Sequence, residues 1–129
     1  MSKQNIKQLK PTTCNLCGGE VVFTKSKFFK SGYMYMCLNC KAKVGTFEKD
    51  NEIALGTLAD SETRKKRMEV HRLFDRFWKG STGRANRYKK LAEEMGINEE
   101  ECHFAYMQMD QLLQAEKILL KWFLEKYDK

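Results

Sequence analysis

The chain has 129 residues, of which 42% are hydrophobic and 12% aromatic, so it can bury a sizeable core, and a wholly disordered protein is excluded. No apolar run approaches the roughly 20 residues of a membrane span, and residues 1–10 lack the apolar core of a secretory signal. We therefore expect a cytoplasmic protein that does not bind a membrane. The formal net charge of +7 favours an anionic binding partner.

Positive charge is concentrated in the first two-thirds of the chain. Residues 1–92 contain 20 Lys and Arg against 8 Asp and Glu, a net charge of +12, whereas residues 93–129 contain 4 against 9, a net charge of −5. A positive field attracts phosphates and acidic protein surfaces alike and speeds the encounter with either. The charge predicts an anionic partner without choosing between nucleic acid and protein.

Four of the five cysteines lie in two Cys-x-x-Cys pairs, Cys14 with Cys17 and Cys37 with Cys40, with nineteen residues between the pairs. Each such turn directs two sulfurs at one centre, and the spacing is typical of paired zinc knuckles. The pattern predicts one structural Zn²⁺ ion held by four thiolates. Iron in a rubredoxin-like site and a redox-active pair are the alternatives. Lysines beside the second pair, and the lack of a βαβ pattern around either pair, favour zinc.

The segment between the cysteine pairs predicts a β-hairpin. Residues 20–24 and 33–36 have the pattern of short strands, residues 25–32 supply the turn, and residues 43–47 can add a third strand. This arrangement is a zinc ribbon. Its turn contains three lysines and two phenylalanines, a weak signal of contact with nucleic acid, at Lys25, Lys27, Phe28, Phe29 and Lys30.

After residue 50 the apolar period changes to that of helices. We predict two domains, a zinc ribbon with a flexible N-terminal arm over residues 1–50 and a helical domain over residues 51–129, which makes the fold class α+β. About four helices are expected, at residues 61–79, 84–95, 98–107 and 110–127. Asp60 or Ser61 is the predicted cap of the first helix, and Gly80 and Gly96 are predicted to end the first two.

The last helix is apolar almost all round, which leaves two interpretations open. It can lie at the centre of the fold, wrapped by the ribbon and the other helices. Alternatively, Trp122, Phe123 or Leu124 can contact a partner or a second copy of the chain. Both a monomer and a homodimer are therefore consistent with the sequence.

A stripe of basic residues runs along the first two predicted helices. Several occupy the opening turns of the first helix, where positive charge opposes the helix dipole. The stripe can grip phosphates or an acidic protein face, or it can be a solvated face that aids solubility. The candidate partner-binding residues are Lys65, Arg72, Arg76, Lys79, Arg84 and Arg87.

Four polar residues form a candidate catalytic cluster. His71 and Asp75 lie four apart on one predicted helix, and Cys102 and His103 can approach them in space. A histidine held by a carboxylate beside a thiol is a formal nucleophile set, and the same residues could bind a second zinc ion. No phosphate-binding loop or paired-carboxylate motif accompanies them. A buried hydrogen-bond network fits better, and we predict that the chain is not an enzyme.

Several elements together resemble a small zinc-finger family found mainly in phages and prophages. The resemblance covers roughly residues 14–119, and its most specific elements are the Leu-Gly-Thr-Leu-Ala-Asp and Cys-His segments. It rests on Cys14-x-x-Cys17-Gly18, Cys37-x-x-Cys40, Leu55-Gly56-Thr57-Leu58-Ala59-Asp60, His71, Phe74-Asp75, Trp78, Cys102-His103 and Asp110.

What the resemblance implies is a non-enzymatic protein acting in the cytoplasm of a host bacterium. The chain is similar to metal-containing inhibitors of bacterial defence, including anti-CRISPR proteins that bind type II RNA-guided nucleases and block DNA loading or cleavage. The implied partner is then a host protein. A nucleic-acid-binding zinc ribbon, such as a phage regulator or a replication accessory, is the alternative function.

Overall fold

The computed structural model describes residues 8–127, which form two compact units. The first unit ends at Arg64 and the second begins at Lys65. The predicted N-terminal arm falls largely on residues 1–7, outside the described residues. The secondary structure follows the predicted α+β order, with strands β1 Val21–Lys25, β2 Tyr33–Cys37 and β3 Lys43–Gly45, then helices α1 Ser61–Phe74, α2 Gly80–Met95 and α3 Met109–Tyr127.

The three strands form one antiparallel sheet in the order β1-β2-β3, which confirms the predicted hairpin and third strand. The register pairs Phe23 with Tyr35 and Tyr35 with Val44. Because side chains alternate across a strand, residues in register share a face of the sheet. Tyr35 and Val44 are buried on that face, together with Val21 and Cys37. The sheet therefore directs one face at the cysteine cluster.

The segment after residue 50 packs into the first unit. Ala54 and Leu58 belong to the same buried cluster as Val21 and Tyr35. Lys43 and Ala59 exchange two backbone hydrogen bonds of 3.0 Å, so this segment pairs briefly with β3. The compact unit thus continues beyond the predicted ribbon, and the domain boundary after residue 50 stays a prediction.

Helix α1 begins as predicted but ends early. The Asp60 carboxylate accepts a hydrogen bond of 2.8 Å from the Thr63 amide, so Asp60 is the N-cap. The helix was expected to reach residue 79, but it ends at Phe74. A 3-10 turn at Asp75–Phe77 and an extended Trp78 follow, and they redirect the chain so that Phe77 is buried.

Gly80 does not end a helix, because it is the first residue of α2 and has a positive φ of 71°. Gly96 ends α2 as predicted. It takes the left-handed conformation at φ 72°, its amide bonds the Glu93 carbonyl, and the Ile97 amide bonds the Ala92 carbonyl. This is the usual way in which glycine satisfies the last carbonyls of a helix.

The prediction of a helix at residues 98–107 is wrong, so residues 8–127 contain three α-helices rather than four. Two 3-10 turns at Glu99–Glu101 and Phe104–Tyr106 occupy this segment. Cys102 and His103 between them have non-helical backbone angles, with ψ of 69° and 131°. The segment instead turns in a way that buries Cys102, Phe104 and Met107 in one core.

The second unit has its own hydrophobic core. The Phe74 ring contacts the rings of Tyr88 and Phe104, and the Phe77 ring contacts Trp122 edge to face. The core contains Val70, Phe74, Phe77, Leu91, Ala92, Met95, Cys102, Phe104, Met107, Leu112, Ala115, Leu119 and Trp122. Helices from both ends of the unit therefore contribute to a single cluster.

Helix α3 buries only one of its faces. Leu119 is fully buried and Trp122 is 3% exposed, so Trp122 is a core residue rather than a partner contact. Leu113, Leu120 and Leu124 are 50%, 49% and 58% exposed. These three residues are called the α3 apolar stripe below. Within residues 8–127 no helix is both long enough and apolar enough to span a lipid bilayer.

We predict that Leu119→Ala destabilises the second unit by about 2–5 kcal/mol, because it leaves a cavity in the core. Leu120→Ala is the matched control: the same atoms are removed one residue away from a half-exposed side chain, and the loss is expected to stay below about 1 kcal/mol. Urea unfolding of the zinc-loaded protein, followed by tryptophan fluorescence, measures both. Equal losses would contradict the placement of α3.

Candidate metal centre

The four sulfurs of the paired cysteines converge on one point. The Sγ atoms of Cys14 and Cys40 are 3.7 Å apart, those of Cys17 and Cys37 are 3.4 Å apart, and all four lie within 4.8 Å of one another. Tetrahedral zinc with Zn–S bonds of about 2.3 Å requires sulfur separations of about 3.8 Å. The cluster fits one structural Zn²⁺ ion bound by four cysteines, as predicted.

The two knuckles have the same backbone hydrogen bonds. In the first, the Cys14 amide bonds the Gly19 carbonyl at 2.8 Å and the Gly18 amide bonds the Cys14 carbonyl at 3.0 Å. In the second, Cys37 bonds the Ala42 carbonyl at 2.9 Å and Lys41 bonds the Cys37 carbonyl at 3.1 Å. Each knuckle is thus a closed turn that directs its two cysteine sulfurs at the same point.

Both turns need a residue with positive φ at the same position. Gly18 fills it at 76° in the first knuckle, and Lys41 fills it at 68° in the second. Among the described residues, Lys41 is the only one other than glycine with a positive φ. Its ammonium group donates a hydrogen bond of 2.8 Å to the Leu38 carbonyl. The second knuckle therefore holds a strained residue that the first avoids.

Backbone amides direct their N–H groups at the sulfurs. The amides of Leu16 and Asn39 lie 3.3 Å from the sulfurs of Cys14 and Cys37, and the Gly19 amide lies 3.4 Å from Cys17. Such donors stabilise the negative charge of thiolates and orient them toward the metal. The knuckle geometry thus supports the anionic form that zinc requires.

Asn39 connects the two knuckles, which the sequence pattern did not reveal. Its side-chain amide donates a hydrogen bond of 3.4 Å to the Cys17 sulfur, from the opposite turn. Gly19 lies beneath it, and a Cβ at that position would come 2.8 Å from the Asn39 Cβ and 3.0 Å from the Cys37 sulfur. Only glycine at position 19 lets the knuckles approach this closely.

The surroundings of the Cys17 and Cys40 thiols shift their pKa values in opposite directions. The Asn39 side-chain amide, followed by the Gly19 backbone amide, lowers the pKa of Cys17 to about 6. Desolvation and hydrogen bonds to the other thiols raise the pKa of Cys40 to about 12. Four thiolates at this spacing repel one another strongly, so a dication is needed to hold them together. Zn²⁺ supplies that charge without redox chemistry.

Asn15, inside the first cysteine pair, extends the influence of the site to the segment after the sheet. Its side chain donates to the Leu58 carbonyl at 3.0 Å and accepts from the Leu58 amide at 2.9 Å. Leu58 itself is buried beside Tyr35 and Val44. The metal-binding turn thereby fixes the chain just before α1.

Among the four candidate catalytic residues, two form a half-exposed pair and the thiol lies in the core. His71 and Asp75 form a half-exposed pair with Nδ1 and Oδ2 3.1 Å apart, and Asp75 also accepts from the Trp78 indole at 2.9 Å. Cys102 is fully buried, and burial raises its pKa to about 12. The His103 ring contacts the rings of Tyr88 and Tyr106.

A second zinc site at these residues is not formed. Within residues 8–127, the four knuckle cysteines are the one group of three or more His, Cys, Asp or Glu side chains placed to hold a metal ion.

All six cations predicted to bind a partner lie in the second unit. Because α1 ends at Phe74, they do not form one helical stripe: Lys65 and Arg72 are on α1, Arg76 is on the 3-10 turn, and Lys79 precedes α2. These four are exposed.

The two remaining candidates lie on α2. Arg84 lies over the rings of Trp78 and Tyr88. Arg87 donates a hydrogen bond of 2.9 Å to the Phe77 carbonyl and lies over the Trp122 ring. Arg87 therefore has a structural role.

Comparison with known proteins places the chain in one family. A family model described as a zinc-finger-containing domain, DUF3268, matches residues 10–121. The match includes all four cysteines and most of the chain, so the protein belongs to this family. No curated protein and no solved structure matches the chain.

We predict that a chelator unfolds the first unit and leaves the second folded. Structural zinc contributes about 10–16 kcal/mol to small zinc domains, whereas the second unit has a core that contains no metal ligand. Both tryptophans, Trp78 and Trp122, lie in the second unit, so their fluorescence should stay native. Hydrogen exchange should show loss of protection in β2. Protected β2 amides in the zinc-free protein would contradict a structural role for the metal.

We also predict that Asn39→Ala lowers zinc affinity about 10- to 100-fold. The variant removes the largest cause of the lowered Cys17 pKa, which is about 6 against an ordinary 9.0. A lowered pKa stabilises the folded site at alkaline and neutral pH, and this contribution disappears as the pH falls through about 6. The variant should therefore release zinc at a higher pH than the native chain.

A zinc-sensitive dye, read across a pH titration, measures this release. Leu38→Ala changes a half-exposed side chain in the same knuckle and is the control. Identical release profiles for the two variants would show that Asn39 has no role in zinc binding.

Proposed function

We propose that this member of the zinc-finger-containing domain family is a non-enzymatic binding protein that inhibits a host defence enzyme by docking on it. Two features support the lack of catalysis. Four protein ligands close the zinc site, so no coordination position is open to a substrate. The Cys102 thiol is fully buried and its pKa is raised to about 12, so it is a poor nucleophile at neutral pH.

The observation that carries the proposal is a group of exposed cations on the second unit, at Lys65, Arg72, Arg76 and Lys79. None of them forms an ion pair with the described residues. Lys65 also stands near the start of α1, where positive charge opposes the helix dipole by about 0.3–1 kcal/mol. Charges that form no ion pair with the described residues, one of them at a cost to helix stability, are suited to an external partner.

The α3 apolar stripe supports a protein partner. Protein interfaces combine an apolar centre with a polar rim and favour arginine among the charged residues. The second unit offers both kinds of group, with Leu113, Leu120 and Leu124 exposed on α3 and arginines exposed at positions 72 and 76. A purely phosphate-binding surface would not need the exposed leucines.

The finer proposal is that the partner is a type II RNA-guided nuclease and that the protein is an anti-CRISPR inhibitor of phage origin. The resemblance of the sequence to such inhibitors is its support. The grooves of such a nuclease that hold guide and target are basic, and a chain of net charge +7 would be repelled by them. We therefore place the docking site on an acidic surface beside a groove, where a rigid body hinders DNA loading or the closure that precedes cleavage.

A second candidate is direct binding of nucleic acid, as in a phage regulator or a replication accessory. The same four cations favour it, because they can neutralise phosphates. The salt dependence separates the two candidates. For a DNA-binding protein, affinity for duplex DNA should fall steeply with salt as counterions are released, whereas an inhibitor should co-elute with its nuclease and bind duplex DNA weakly at physiological salt.

We predict that the double variant Arg72→Glu with Arg76→Glu loses at least tenfold in inhibition of the nuclease, because like charges then face the acidic docking surface. The control is Lys10→Glu with Lys49→Glu, which gives the same net charge of +3 but changes exposed residues of the first unit. The assay is loading of labelled target DNA onto the purified nuclease and guide complex. Equal inhibition by both variants would exclude Arg72 and Arg76 from the docking surface. No inhibition by the native chain would exclude the finer proposal.

A further inference from the structure

The loop between β1 and β2 displays an aromatic ring on a rigid frame. The Phe28 side chain is 78% exposed, the highest exposure among the large hydrophobic residues that the structure describes. The loop that carries it is closed by short hydrogen bonds. The Ser26 amide bonds the Gly32 carbonyl at 2.8 Å, the Gly32 amide bonds the Phe29 carbonyl at 2.9 Å, and the Phe28 amide bonds the Ser26 hydroxyl at 3.1 Å.

Phe29 anchors the loop to the sheet. It packs against the open face of Gly45 so closely that a Cβ there would lie 2.6 Å from the Phe29 ring. The Ser31 and Thr46 hydroxyls add a hydrogen bond of 2.6 Å between the loop and the residue after β3. Phe28 meets Phe29 edge to face, with ring centroids 5.2 Å apart. The Phe28 ring is therefore held in place while most of its surface stays in solvent.

Arg64 completes the support. Its guanidinium carbon lies 5.6 Å from the centroids of both Phe28 and Phe29. Its Nε and Nη1 atoms are buried without a hydrogen-bond partner, and burial lowers its pKa. The guanidinium group lies over both rings even though two of its N–H groups have no acceptor there. This contact therefore constrains the positions of the two rings. Folding alone does not require an exposed Phe28, because Phe29 already covers Gly45.

The loop is also strongly basic. Lys25, Lys27 and Lys30 fall within six residues, and no acidic residue lies between positions 21 and 47. Lys25 and Lys27 form no ion pair with the described residues, and Lys30 makes only a solvent-exposed contact of 3.3 Å with Glu48. The ribbon-tip patch, defined as Lys25, Lys27, Phe28 and Lys30, thus combines one fixed ring with three cations.

We propose that the ribbon-tip patch binds single-stranded nucleic acid, with a base stacked on Phe28 and the neighbouring phosphates against the lysines. Stacking on aromatic side chains within a basic surface is how sequence-tolerant binding of single strands works. A duplex offers no free base face to a ring on a tight turn. A membrane would need more apolar area than one ring provides. The patch belongs to the first unit, so this inference does not rest on the proposed nuclease inhibition.

The hairpin carries a second partly exposed ring. Phe23 on β1 is 41% exposed and stacks on Tyr33 with an interplanar angle of 1°. The register places Lys25 directly opposite Tyr33, on the same face of the sheet. This ring and cation lie on the face of the sheet opposite to Gly45 and Phe29, so they form a surface distinct from the ribbon-tip ring.

The test is fluorescence anisotropy of the zinc-loaded full chain with labelled poly-dT and poly-rU 12-mers and with a 12-bp DNA duplex. We expect the single strands to bind more tightly than the duplex, and Phe28→Ala to weaken single-strand binding about tenfold. Phe28→Trp should bind the single strands about as tightly as the native chain, because tryptophan keeps a stacking surface. Phe47→Ala, which removes another exposed ring of the first unit, is the matched control and should have little effect.

The lysines are tested by salt dependence. Lys27→Glu should reduce the slope of log affinity against log salt by about 0.7, the value for one phosphate contact on a single strand. Lys49→Glu gives the same net charge and should leave the slope unchanged. The inference is overturned if no oligonucleotide binds at low salt, if Phe28→Ala and Phe47→Ala behave alike, or if the duplex binds as tightly as the single strands. Binding only to vesicles of phosphatidylserine and phosphatidylcholine would overturn it in favour of a membrane surface.

Discussion

The mutual repulsion of four thiolates is the constraint on which the first unit depends. Four sulfurs within 4.8 Å carry four negative charges when all are ionised, and only a bound dication makes that arrangement stable. The unit has little else to hold it, because its buried cluster is small and two of the eight members are metal ligands. A short sheet with a core of this size is marginal without a metal or disulfides. The zinc ion therefore acts as part of the core.

The metal also determines which parts of the chain are fixed. Each knuckle is attached to the sheet, since Cys37 ends β2 and the Cys14 turn precedes β1. Asn15 then carries the constraint to Leu58 through two hydrogen bonds, just before α1 begins. Zinc binding thereby positions both ends of the hairpin and the segment that follows it. The loop opposite the metal keeps its shape through Phe29 and Arg64, which makes it a firm platform for contacts.

Local signals in the sequence predicted the elements whose cause is local. Cysteine spacing predicted the metal site, alternation predicted the strands, and Asp60 and Gly96 marked helix ends through their own hydrogen bonds. The prediction that Gly80 ends the first helix was wrong, because glycine with positive φ can begin a helix as well as follow one. The helix expected at residues 98–107 does not form, because burying Cys102 and Phe104 in the core outweighs the helix propensity of this segment. Asn39, Asn15 and Arg64 act through contacts 22 to 43 residues away, or across loops, and no periodicity encodes such contacts.

Charge and exposed apolar groups act together on both units. Residues 1–64 carry 10 Lys and Arg against 6 Asp and Glu, and residues 65–129 carry 14 against 11, so the net charges are +4 and +3. Like charge opposes the association of two copies of the chain, whereas Phe28 and the α3 apolar stripe are exposed groups that association would bury. A partner of opposite charge meets no such repulsion and can bury the same groups. Under the proposals made above, the positive field would select the class of partner, and the exposed ring and leucines would supply the short-range contacts that hold it.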